Sequence, residues 1–299
     1  MGQKILDIGP FWHKKKEGTP TMGGVAFVVA SCVAFFVFIF AFSSDVEKRE
    51  LYLIINIFVY AILNSMVGMI DDLAKIKKQE NKGLSAKGKL ILQGTFAILF
   101  LASLHITVGI STTVKIPLIN TEIDIGIAYY IVAFFLLCGV VNAVNLTDGL
   151  DGLASTCVLT SGAFLTFVSF TAIKDASLTF FGAIMLGATL SFLIFNLHPA
   201  KIFMGDTGSL YFGALVVGSS FAFDNPLIVL LYGFIFILEA VSVILQVIYF
   251  KLTKGKRLFK MAPLHHHLEK CGYGEIKIVS IFGIINVVFC VIAFILLTV

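Results

Sequence analysis

Residues Asn142-Ala-Val-Asn-Leu-Thr-Asp-Gly-Leu-Asp-Gly-Leu153 interrupt an otherwise apolar chain with two amides and two carboxylates. Asn142, Asn145, Asp148 and Asp151 recur at three-residue steps, and each step on an α-helix turns about 300°. The spacing predicts a single, slowly drifting polar face. Gly149 and Gly152 let the backbone turn or approach a ligand closely. Carboxylates and amides converging beside glycines, with no basic residue among them, suit a hard cation that carries phosphates. A capped helix junction, with Asp148 or Asp151 as N-cap, is the plainer reading. Four polar residues in register at the mouth of two apolar spans favour a site.

The surroundings are those of a membrane protein. The 299 residues are 58% hydrophobic and 13% charged, against about 25% charged in a soluble domain. Mean hydropathy is +0.98. Four of the five cysteines lie inside apolar runs without metal-ligand spacing and read as small core residues. Residues 1–21 are polar and basic, with no apolar core of a cleavable leader.

A bilayer takes about 20 apolar residues per span. On that measure there are nine, over 22–43, 51–71, 88–109, 126–146, 150–172, 177–197, 208–223, 226–251 and 276–298. The fold class is an all-α polytopic membrane protein, residues 1–299 forming one integral membrane domain. Alternate loops and the N-terminal segment hold 18 of the 22 Lys and Arg. The positive-inside rule puts that side in the cytoplasm and the C-terminus outside. Among the outer loops, 113–125 alternates apolar and polar residues around Asn120-Thr121, a β-hairpin pattern weakened by Pro117. Asp175, on another outer loop, has no expected role.

The chemistry-bearing clusters all fall on the cytoplasmic side. Asp71-Asp72 closes the second span, with Lys75 one turn beyond Asp71. Two acids at a helix C-terminus oppose the macrodipole, which points to a compensating cation or a catalytic role. Lys77, Lys78, Lys82, Lys87 and Lys89 follow as a basic strip suited to lipid headgroups or phosphates. Phe203-Met-Gly-Asp206 opens the seventh span, where a helix start favours anions. Asp206 is a candidate metal ligand or N-cap, and Phe203 a candidate platform for a base. His265, His266 and His267 follow Lys254, Lys256, Arg257 and Lys260, so the loop reads as an anion-attracting lid. Adjacent histidines do not share a helix face as zinc ligands four apart do. Glu239 and Gln246 share a face of the eighth span. Glu239 reads as too deep for the cytoplasmic site and as a structural hydrogen-bonding group.

Gly18-Thr-Pro-Thr-Met-Gly-Gly24, Asp71-Asp72, Asn142 to Gly152, Phe203 to Asp206 and Met261-Ala-Pro-Leu-His-His-His267 occur together in this order. With them the chain resembles the phospho-N-acetylmuramoyl-pentapeptide-transferases (MraY), within the polyprenyl-phosphate N-acetylhexosamine 1-phosphate transferases. The resemblance covers essentially the whole chain. It implies transfer of phospho-MurNAc-pentapeptide from UDP-MurNAc-pentapeptide to undecaprenyl phosphate in the bilayer, giving lipid I and UMP with Mg²⁺ as cofactor. It implies a multi-pass enzyme of the bacterial plasma membrane, EC class 2.7.8, with a homodimer among its forms and no nucleic-acid partner. By matching position, Asp71, Asp72, Asp206 and His265 are catalytic and Asp206 binds the metal. Lys16, Lys75, Asn145, Asp148, Asp151, Phe203, Gln246 and His266 bind substrate, Phe203 by stacking on uracil. The family has ten spans, and the one before the Gly18-Thr-Pro motif is expected to be missing here.

Two other readings compete. A relative loading N-acetylglucosamine 1-phosphate would share the acids, but the His265–His267 triplet argues against it. A secondary transporter would hold its polar residues near the bilayer midplane, where only Glu239 lies.

Overall fold

The computed structural model describes residue 16 and residues 18–78, 83–116 and 121–298. The N-terminal segment before Lys16, Lys78's side chain, Lys82 and the Pro117–Asn120 turn lie outside them, so the missing-span expectation does too.

Eleven α-helices and one two-stranded sheet follow in order among the described residues. They are α1 Gly24–Phe42, α2 Lys48–Lys78, α3 Ala86–Thr107, α4 Ile127–Thr147, α5 Leu153–Val168 and α6 Ala176–Asn196. After them come α7 Gly205–Ser219, α8 Val229–Tyr232, α9 Phe234–Leu252, α10 Leu264–Lys270 and α11 Glu275–Thr298. Between α3 and α4, β1 (Thr113–Ile116) pairs antiparallel with β2 (Thr121–Asp124), Thr113 opposite Asp124, as the alternation predicts.

Eight helices are long and apolar enough to cross a membrane. The other expected span, 208–223, is α7 with a 3₁₀ turn over Ser220–Phe223. Every residue from Thr207 to Ser219 is buried. The neighbouring helices surround α7, and its glycines Gly208 and Gly213 meet the backbone of Gly24 and Val141 so closely that a Cβ at either would stand 3.0 Å or less from it. Lipid faces are plain elsewhere: Phe40 of α1 is 86% exposed and Ile284 of α11 65%. Lipid gives helices little hydrophobic reason to associate, so buried polar contacts add to packing, each worth about 0.6–2 kcal/mol. Asn286 on α11 donates to Thr160 on α5 (2.7 Å), and Asn142 on α4 to Gln93 on α3 (2.8 Å).

Three expectations change. The polar face of 142–151 does not exist as one helix face. Helix α4 stops at Thr147, Asp148 is its C-cap, and Gly152 takes a left-handed φ of +79° before α5 starts. Span eight is not one helix. It breaks at Gly233, and α9 has no buried residue beyond Ser242, so its second half leaves the bundle. Asp175 is not idle. It is buried and caps α6, accepting from Leu178 N–H at 2.9 Å.

Candidate active site

Asp71 and Asp72 end the buried part of α2, and both are buried. Adjacent residues on a helix point about 100° apart, and their partners differ accordingly. Asp72 faces α7. Its Oδ1 accepts from Asp206 N–H (3.1 Å), and its Oδ2 from Thr207 N–H (2.9 Å) and Thr207 Oγ1 (2.7 Å). It is a capping acid supplied by another helix, satisfying the free donors that open α7. Gly205 makes room for it: its φ is +71°, and a Cβ there would stand 2.6 Å from Asp72 Oδ2. This corrects the expectation for α7. Its positive end already holds a carboxylate, and the compensation sought for Asp72 is a helix start rather than a cation.

Asp71 points the other way. Oδ1 accepts from Leu84 N–H (2.6 Å), and Oδ2 pairs with Lys75 (2.6 Å). Lys75 also reaches Asp206 Oδ2 at 3.1 Å, and Lys89, in the first turn of α3, reaches the same oxygen at 2.8 Å. Asn145 donates to Asp206 Oδ1 (2.9 Å) and to Ser209 Oγ (2.7 Å). Burial pushes the Asp206 carboxyl up, but Lys89 and Lys75 outweigh it and hold the group well below the usual carboxylate range. One oxygen each from Asp71, Asp72 and Asp206 lie within 4.8 Å of one another. Four helices thus meet on Asp206.

A second polar cluster adjoins the α4–α5 turn. Lys16 pairs with Asp151 (2.7 Å) and with Glu275 at the start of α11 (2.6 Å). Asp151 Oδ2 also accepts from Ala200 N–H and lies 3.0 Å from His198 Nδ1. Burial raises the Asp151 carboxyl, but Lys16, Ala200 N–H and His198 together bring it below its ordinary value. Asp148 links the clusters electrostatically. Burial and then the Asp206, Asp72 and Asp151 carboxylates push it well above the usual range, against the pull of Lys16.

Phe203 is half-buried on the loop that leads into α7. Its N–H donates to Pro20 O and its carbonyl accepts from Gly23 N–H, both at 2.9 Å, so the Gly18–Gly24 segment holds the Phe203–Asp206 loop. His265, buried under the Asp148–Gly149 turn, is held by Glu239 through backbone N–H (3.1 Å) and Nδ1 (2.9 Å). His266 Nδ1 lies 2.7 Å from Glu269. Gln246 accepts from Leu258 and Phe259 N–H and donates to Phe259 O, so its amide anchors the lid loop.

Asp71, Asp72, Lys75, Asn145 and Asp206 therefore come together, with Asp148 nearby. Lys16 and Asp151 form the adjoining cluster, apart from Lys75. Sequence reasoning missed Lys89, His198, Glu275 and the reach of Glu239. Lys89 was hidden in a basic strip, and the first-turn position of Glu275 was the only signal for it. Hydropathy alone shows one continuous span around Glu239, whereas the chain breaks at Gly233 and α9 has no buried residue beyond Ser242.

A family model described as glycosyl transferase family 4 matches residues 54–224. Signature 1 of the phospho-N-acetylmuramoyl-pentapeptide-transferases matches residues 16–28. A phospho-N-acetylmuramoyl-pentapeptide-transferase of Clostridium perfringens (strain SM101 / Type A) is 45% identical over 98% of this chain and 87% of its own length. The chain belongs to the phospho-N-acetylmuramoyl-pentapeptide-transferase family. Family members so named in Listeria innocua (42% identical, 98% of this chain, 90% of theirs) and Clostridium acetobutylicum (41%, 98% and 89%) match over nearly the same extent. The family signature starts on Lys16 and contains the Pro20–Gly23 segment that holds Phe203. The broader match runs from α2 past α7 and takes in Asp71, Asp72, Asp151 and Asp206. Glu239, His265 and Glu275 lie beyond it, within the part shared with the full-length family members.

Proposed function

We propose that the protein transfers phospho-MurNAc-pentapeptide from UDP-MurNAc-pentapeptide to undecaprenyl phosphate, releasing UMP and forming lipid I on the cytoplasmic face of the bacterial plasma membrane. The observation that carries this is the convergence of Lys75, Lys89 and Asn145 on Asp206, beside Asp71, in a chain so similar to transferases of that name. The bias of 18 of 22 Lys and Arg to one side supports the cytoplasmic orientation.

Phosphoryl transfer asks a protein for positioning and charge neutralisation more than for covalent chemistry. Lys75 and Lys89 supply two cations beside the acids, ready to neutralise phosphate oxygens. Phe203 offers its ring to uracil, with Lys16 and Asp151 holding the nucleotide end. Asp71 is the better general base of the acidic pair: its partner Lys75 also reaches Asp206 and belongs to the charged site, whereas Asp72 has both oxygens committed to the start of α7. It accepts or positions the proton of the lipid phosphate while the site orients the attack.

The donor set fits a hard divalent cation: one carboxylate oxygen each from Asp71, Asp72 and Asp206 lies within 4.8 Å of the others. When bound, Mg²⁺ would offset the charge of the diphosphate and of the departing UMP. Asp206 and Asp71 would hold such a cation beside the Lys75 and Lys89 ammonium groups that Asp206 Oδ2 carries here. The test is purified protein incubated with UDP-MurNAc-pentapeptide, undecaprenyl phosphate and Mg²⁺. UMP should appear with a lipid-linked product and stop on chelation; release of UMP without the lipid product would overturn the proposal.

A further inference from the structure

Glu239 gives both of its oxygens to one residue. His265 N–H donates to Oε1 at 3.1 Å, and Nδ1 lies 2.9 Å from Oε2. The two residues are 0% and 1% exposed. An ionised carboxylate can only accept, so Nδ1 carries a proton and the ring's orientation is set. What is left is Nε2. It is buried and has no hydrogen-bond partner among the described residues. It faces the Asp148–Gly149 turn so closely that a Cβ on Gly149 would stand 2.4 Å away. A buried polar atom without a partner is costly, and such atoms in native proteins call for an explanation.

We infer that Glu239 is a positioning residue that fixes the tautomer and direction of His265, so that Nε2 meets the donor substrate at the Asp148–Gly149 turn. The inference rests on the reading of His265 as catalytic. It explains why an ionisable residue is kept within the apolar helix α9. It also explains why Gly149 is glycine: the ring, held at Nδ1 by a carboxylate that also binds the backbone of the same residue, cannot retreat from a larger residue.

The test uses the full chain with UDP-MurNAc-pentapeptide and undecaprenyl phosphate, measuring kcat, KM and donor Kd. Glu239→Gln keeps the shape, but its amide cannot accept from Nδ1–H and from the backbone N–H through two oxygens. It should lower kcat by about tenfold or more, in the range of a displaced acid–base group, with donor KM and Kd unchanged. Gly149→Ala leaves Glu239 intact and should give the same split. It serves as the deciding variant if Glu239→Gln unfolds in a thermal melt. His265→Ala should lose turnover, and adding Glu239→Gln to it should cost nothing further, since residues acting as a unit are not additive. Wild-type kcat in Glu239→Gln or Gly149→Ala, with His265→Ala inactive, overturns this inference alone, as does a loss that appears in KM and not kcat. Full turnover in His265→Ala overturns the catalytic reading of His265 itself.

Discussion

Asp72 accepts hydrogen bonds from both the backbone N–H and the hydroxyl of Thr207, at 2.9 and 2.7 Å. An acid at the inner end of α2 thereby caps α7, the helix that starts with Asp206. Catalytic geometry and helix packing are joined at this contact, because α7 cannot shift without moving Asp206 away from Lys75, Lys89 and Asn145.

The two adjacent acids should therefore separate by mutation. Asp72→Ala leaves buried donors of α7 unpaired and should cost about 1–3 kcal/mol of stability as well as turnover. Asp71→Asn should abolish most turnover with a melting temperature near wild type. Thermal unfolding read beside UMP release checks this; equal stability losses would contradict it.

Lys89 was not singled out by sequence, yet it touches Asp206 at 2.8 Å. Lys89→Met removes one of two cations on that carboxylate. Turnover should fall by at least about tenfold, a change of roughly 1.4 kcal/mol in the barrier, while the protein purifies folded. Lys87→Met, on the exposed side of the same turn, should change little. Equal effects of the two variants would assign the basic strip a diffuse role.

How much of this was legible in the sequence follows from which forces are local. Hydropathy is, so most of the spans could be read directly. The motifs could be read too, because acids and histidines stand out against apolar runs. Their pairing could not. That Asp72 serves α7 and Asp71 serves Lys75 depends on the packing of α2 against α7. Asp151 and Lys16 joined Glu275, 124 and 259 residues away, through contacts no spacing encodes. Asp175 looked neutral on an outer loop because capping by a buried Asp leaves a pattern shared with many solvated turns.

Asp148 should carry a pH signature. Its carboxyl is raised by burial and by neighbouring carboxylates, so the folded state binds a proton that the unfolded state has lost. Its contribution to stability is present below the unfolded pKa, about 3.9, and is lost as pH rises through the raised folded value. Asp148→Asn should thus be more stable than wild type at pH 8, with a smaller gap at pH 5, and should be poorly active. Melting curves at the two pH values decide; a variant less stable at pH 8 would contradict the assignment.

Orientation can be checked by labelling single cysteines in cells with an impermeant thiol reagent. A cysteine replacing exposed Lys174 should react from outside, and one replacing exposed Lys256 only after the membrane is opened. The reverse pattern would put the acid cluster on the wrong face for a cytoplasmic nucleotide.

The most direct measurement is UMP release by the purified protein from UDP-MurNAc-pentapeptide and from UDP-N-acetylglucosamine, each with undecaprenyl phosphate and Mg²⁺, for wild type and Asp206→Asn. The account predicts release from the MurNAc-pentapeptide donor alone, accompanied by lipid-linked product, and its near-complete loss in a folded Asp206→Asn protein. Preference for the N-acetylglucosamine donor, or near-normal turnover in Asp206→Asn, would contradict it.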